Sequence, residues 1–79
     1  MKILIVEDDS ILCDLLREYL QQLQHEKVQT CYSAHEALVA IKDDVYDCAF
    51  VDLRLPDMDG IQLIGILKSQ DPKIGRAHV

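Results

Sequence analysis

Cys48-Ala-Phe-Val-Asp-Leu-Arg-Leu-Pro-Asp-Met-Asp-Gly60 is an apolar run that ends on a carboxylate and then breaks into a loop. A short continuous apolar run of this kind reads as a strand buried on both faces, as in a parallel sheet, with Asp52 as its last residue. Pro56 lacks an amide proton and Gly60 tolerates unusual dihedrals, so the segment after Asp52 is predicted as a loop. Asp59 followed by Gln62 starts a helix whose buried stripe is predicted at Ile61, Ile64 and Leu67, ending before Asp71-Pro72.

The same signature stands at the start of the chain. Lys2 to Val6 is apolar and β-branched, and Glu7-Asp8-Asp9-Ser10 interrupts it abruptly. Ile11, Leu12, Leu15, Leu16, Tyr19, Leu20 and Leu23 then keep helical spacing, with Ser10 or Asp9 placed to cap the helix. Val28 to Tyr32 is a weaker strand. Ser33-Ala-His-Glu36 is a capping box opening a helix through Ala37, Leu38 and Ile41. The order is βαβαβα, and this alternation predicts an α/β fold with right-handed crossovers and a parallel sheet covered on both faces.

Composition narrows the function. At 79 residues the chain is one domain, and its net charge of −6, without a Lys/Arg-rich run, makes it a poor nucleic-acid binder. No apolar stretch approaches the ~18 residues of a membrane span, and no secretory signal is recognisable, so the cytoplasm is expected. Cys13, Cys31 and Cys48 lack CxxC spacing and sit among apolar neighbours, as buried thiols do. His25, His35 and His78 show no metal-ligand spacing and are expected at the surface.

Two strands end in acids, the first in Glu7 and Asp8 and the third in Asp52. In open α/β sheets the site lies beyond the carboxyl ends of the strands, where the order reverses. With the order 2-1-3, strands one and three are neighbours and the three carboxylates share a crevice. Such a cluster repels itself unless a cation compensates, and oxygen-only donors select Mg²⁺, Mn²⁺ or Ca²⁺ over Zn²⁺. The blander reading has Glu7 and Asp8 capping the next helix and Asp52 as an inert loop acid. Asp57 and Asp59 fit turn and cap roles better than ligation, and the Arg54 side chain is expected to be solvated. No glycine marks the first strand–helix turn, which excludes a P-loop and a dinucleotide fingerprint. A haloacid-dehalogenase-like phosphatase would want a second Asp where Arg54 stands.

The strings Ile3-Leu-Ile-Val-Glu-Asp-Asp9 and Val51-Asp-Leu-Arg-Leu-Pro-Asp-Met-Asp-Gly60 resemble the receiver domains of two-component response regulators, and the match runs to about Lys73. The resemblance implies a flavodoxin-like doubly wound parallel sheet, truncated to βαβαβα in the order 2-1-3. It implies that Asp52 accepts a phosphoryl group from a sensor histidine kinase or phosphotransfer protein. Glu7, Asp8, Asp52 and the backbone carbonyl of Arg54 would hold Mg²⁺, with Mn²⁺ as a substitute. It further implies an output domain in the parent and a switch rather than an enzyme. An interaction-only pseudo-receiver and a non-functional translated fragment are the rival readings.

Receivers continue through two further strands and helices, which deliver a Ser or Thr and a Lys to the site. Lys68 and Lys73 do not lie at a strand's carboxyl end and cannot replace that Lys. Residues 1–73 are therefore expected to be a partial receiver domain. Ile74 to Val79 resembles the translation of sequencing-adapter read-through and is expected to be non-native. With three strands only, the third is expected to be an exposed apolar edge, a template for aggregation.

Overall fold

β1 (Lys2–Val6) and β3 (Cys48–Val51) lie side by side at the centre of one parallel sheet, with β2 (Lys27–Cys31) on the far side of β1. The computed structural model describes residues 1–24, 27–71, 74 and 76–78. Between the strands run α1 (Ser10–Gln24), α2 (Ala34–Asp43) and α3 (Gly60–Gln70), the alternation that parallel pairing requires. The expected order 2-1-3 is present, and β1 and β3 begin where their sequence patterns put them. β2 starts one residue earlier than its pattern suggests.

The period of two along each strand divides the core into two clusters. Leu4, Val6, Ala49 and Val51 face α2 and α3, where Leu63 and Leu67 are fully buried. Ile3, Ile5 and Cys48 face α1 and meet Cys13, with Leu16 and Leu20 packed against them. The sheet is therefore wound on both faces. All three cysteines are buried thiols outside any disulfide, as small core residues.

The structure corrects the helix stripes. On α1 the buried contacts come from Cys13, Leu16 and Leu20, spaced by three and four, whereas Ile11, Leu12, Leu15 and Tyr19 are exposed. Seven apolar positions make a stripe wider than one face of the sheet covers, and periodicity alone does not say which flank is left out. On α3 Leu63 takes the core position and Ile61 is 64% exposed. Ile64 and Leu67 pack inward as expected, and Leu63, four residues before Leu67, shares their face, whereas Ile61 in the first turn lies on the solvent side.

A fourth strand was not expected. β4 (Arg76–His78) pairs parallel with β3, Cys48 opposite Arg76 and Phe50 opposite His78, giving the order β2-β1-β3-β4. Ile74 is buried in the α2–α3 core and precedes this strand. Ladder hydrogen bonds are indifferent to side chains, so a segment without an apolar pattern still satisfies the edge of β3. That edge is consequently covered along Cys48–Phe50, contrary to the sequence expectation. His35 is exposed, while His25 and the boundary at Lys73 lie outside the described residues.

Candidate functional site

Strand register brings the acids together. Val6 lies opposite Val51 in the β1–β3 ladder, so the next residues, Glu7 and Asp52, are neighbours at the carboxyl ends. The ladder continues past the strands on both sides of β1. The Glu7 amide donates to the Cys31 carbonyl at 2.9 Å, and the Asp52 amide donates to the Val6 carbonyl at 2.8 Å. Alternation puts Glu7 on the face of Ile3 and Ile5, and Asp52 on that of Cys48 and Phe50. A crevice of about 430 Å³ opens there, with Glu7, Asp52, Leu16 and Leu53 in its walls.

Glu7, Asp8 and Asp52 each offer a carboxylate oxygen, and these oxygens lie within 4.8 Å of one another. At that separation two unit charges repel by roughly 1 kcal/mol in water and roughly 3.5 kcal/mol at an effective permittivity of about 20. Glu7 is buried, Asp52 half-buried and Asp8 exposed. Burial is the main cause that pushes the Glu7 carboxyl above its ordinary range. Hydrogen bonds to Asp52 and Asp8 and the charge of Asp52 push the same way, against the Asp9 amide, which donates to Glu7 Oε2 at 3.2 Å.

The neighbouring acids have other work. Asp9 is the cap of α1, its Oδ1 accepting from the Ile11 and Leu12 amides at 3.0 and 3.2 Å. Asp59 caps α3 in the same manner, accepting from Ile61 and Gln62. Arg54 has an exposed side chain, and its amide donates to Asp52 Oδ1 at 3.3 Å. The loop closes on itself where the Gly60 amide meets the Leu53 carbonyl at 2.8 Å. A Cβ on Gly60 would collide with the Asp52 carbonyl oxygen and stand 2.8 Å from the Leu53 Cα, so only glycine permits this approach.

A family model described as Response regulator receiver domain matches residues 3–78. The chain belongs to that family. Transcriptional regulatory protein ZraR of Salmonella typhimurium is 35% identical to this receiver over 72 residues, 91% of the chain and 16% of that protein. Virulence transcriptional regulatory protein PhoP of Salmonella typhimurium is 39% identical over 71 residues, 90% of the chain and 31% of that protein. Among solved structures, a CheY-like receiver domain protein from Methanospirillum hungatei superposes with a TM-score of 0.88 at 29% identity. The match covers 95% of this chain and 59% of that one. Response regulator TrrA from Thermotoga maritima, in complex with Mg(2+)-BeF, gives 0.83 at 27% identity, covering 90% and 61%. The receiver chain thus spans under a third of these curated relatives and about three fifths of these solved structures.

The three side chains expected at the site therefore meet, and the donor set fits a hard divalent cation. It contains only carboxylate oxygens, with no cysteine or histidine among them, and it is self-repelling without a counter-charge. Asp57, expected from sequence in a turn or cap role, is indeed a cap, of a distant helix. Its carboxylate reaches the start of α2, accepting from the Ala34 and His35 amides at 3.0 Å each. No local pattern announces a cap whose partner is more than twenty residues away. Among the described residues no helix is long and apolar enough to cross a membrane.

Proposed function

We propose that this chain is a phospho-accepting receiver, with Asp52 as the acceptor and Glu7, Asp8, Asp52 and the Arg54 backbone carbonyl as ligands of Mg²⁺ or Mn²⁺. The observation that carries the reading is the convergence of three carboxylates from two strand ends, with oxygens within 4.8 Å of one another, at the mouth of a crevice that Glu7 and Asp52 line. The magnesium complex of the related TrrA supports the choice of cation.

The chemistry asked of this chain is mostly positioning. An Asp52 carboxylate oxygen attacks the phosphorus of a phosphohistidine. The new O–P bond forms as the P–N bond breaks, and the imidazole nitrogen leaves with the electron pair and regains a proton. A bound divalent cation would neutralise charge on the phosphoryl group in transit. The Arg54 amide orients the Asp52 carboxylate, and the ladder bond to Val6 fixes its backbone. The donor is a sensor histidine kinase or a phosphotransfer protein in the cytoplasm. The recipient of the signal is an output domain of the longer parent, as the regulators ZraR and PhoP suggest by their size.

The segment Ile74–Val79 is proposed as foreign to the receiver. Gly75-Arg-Ala-His-Val79 departs from the apolar fourth strand the family resemblance implies, even though β4 finds a place beside β3. Resequencing the source gene tests this: a different continuation after Lys73 is expected, and an identical one contradicts it.

Phosphorylation is tested with acetyl phosphate and Mg²⁺, followed by intact-mass measurement. The parent protein should gain one phosphoryl group, and Asp52→Asn should gain none. A gain that survives the substitution, or no gain at all, contradicts the reading.

A further inference from the structure

The loop from Asp52 to Gly60 is closed at its base by the Gly60–Leu53 hydrogen bond. Nearer its tip the Leu55 amide meets the Met58 carbonyl at 3.3 Å, and the backbones of Arg54 and Asp59 form an antiparallel bridge. Leu55 and Met58 pack on the α2–α3 core. Asp57 makes polar bonds that leave the loop for α2.

An α-helix begins with amides that have no partner inside the helix. In α2 the Glu36 amide goes to Ser33 Oγ at 3.2 Å, and the Ala37 amide goes to the Ser33 carbonyl at 3.2 Å. The two amides left over, Ala34 and His35, are taken by the two oxygens of Asp57, one each. A carboxylate suits the place because it has two acceptors and sits at the positive end of the helix dipole. These bonds hold Asp57 below its ordinary carboxyl range.

The tie completes a circuit around the acidic cluster. Glu7 is bonded to Cys31, the last residue of β2. Ala34 follows closely and is bonded to Asp57, in the same loop as Asp52, which is bonded back to Val6 beside Glu7. A shift of the loop against α2 would therefore carry the Arg54 backbone, and the amide that holds Asp52, away from Glu7 and Asp8.

We infer that Asp57 is a positioning residue of the phosphoryl-accepting site, fixing the Asp52–Gly60 loop to the start of α2 so that the Arg54 backbone and Asp52 carboxylate meet one divalent cation. The inference rests on the metal reading above. It is distinct from simple capping of α2, because the hydrogen bonds of Ser33 Oγ stay within that helix, at Glu36.

Mg²⁺ titration of the full chain, followed by amide NMR, compares wild type with Asp57→Ala, Asp57→Asn and Ser33→Ala. Asp57→Ala should weaken Mg²⁺ binding about tenfold, as lost support of a ligand commonly does. Asp57→Asn, which keeps one of two acceptors, should fall between Asp57→Ala and wild type, and it carries the comparison should Asp57→Ala fail to fold. Ser33→Ala should stay within about twofold of wild type, because it leaves the loop contact intact. Without metal, the Ala34 and His35 amide protons should move upfield in both Asp57 variants only. Unchanged affinity in the Asp57 variants, or an equal loss in Ser33→Ala, would overturn the inference while the metal reading stands. No uptake by wild type would overturn both.

Discussion

Glu7 is the residue on which the site's electrostatics turn. It is buried, and its pKa is raised first by that burial and then by Asp52 and Asp8. Removing one neighbouring charge should relieve the repulsion. Without divalent cations, Asp8→Asn or Asp52→Asn is expected to stabilise the fold by on the order of 1 kcal/mol in chemical denaturation. A group whose pKa rises on folding contributes stability that is complete below its unfolded pKa and lost as pH rises through its folded one. Metal-free wild type should therefore lose stability as pH climbs through the upper carboxylate range, and Asp52→Asn should flatten that loss. Asp57 runs oppositely, its contribution complete above its unfolded pKa and lost as pH falls through the lowered folded one. Glu7, Asp8 and Asp52 were legible in sequence because each ends or follows an apolar run. For Asp57 the cap role was legible but its partners were not, because Ala34 and His35 belong to a different element.

Elements decide how closely those residues approach. The Asp52–Gly60 loop folds back so tightly that position 60 has no room for a side chain. Gly60→Ala must push apart the backbone at Asp52 and Leu53, which displaces the Asp52 carboxylate and the amide beside it. It is expected to cost about 1 to 3 kcal/mol in stability, the range for local overpacking. It should also reduce phosphorylation by acetyl phosphate, measured as the rate of mass gain. A variant with wild-type rate and stability would show that the close approach is dispensable. The loop and the Gly60 position were readable from Pro56 and Asp59-Gly60. The buried side of α1 was not, since Ile11, Leu15 and Tyr19 have the same periodicity as the residues that do pack, and only the neighbouring strand selects among them.

At the scale of the whole molecule, one face of the sheet is thinly covered. α1 is the only described helix on that side, and Ile5, Leu16, Tyr19, Leu20 and Phe50 bound a wholly apolar hollow of about 270 Å³. Ile11 is 73% exposed, Leu15 58% and Tyr19 60% on the same helix. An exposed patch of this kind favours association. The 79-residue chain is expected to elute above its monomer mass or to bind a hydrophobic dye, and Leu15→Lys with Tyr19→Lys should reduce both signals. A wild-type monomer with sharp, dispersed amide resonances would contradict this. The βαβαβα order and the doubly wound sheet followed from alternation of strand and helix patterns. β4 did not, because Arg76 and His78 break the apolar pattern that marked β1 and β3, and it is found by its backbone pairing with β3.

The account depends on three carboxylates from separate strand ends acting as one cation site. Calorimetric titration of the folded protein with Mg²⁺ measures this directly. One ion bound per chain, with binding lost in Asp8→Asn and in Asp52→Asn while both variants remain folded, is the predicted result. No uptake by the wild type, or uptake that both substitutions leave unchanged, would contradict it.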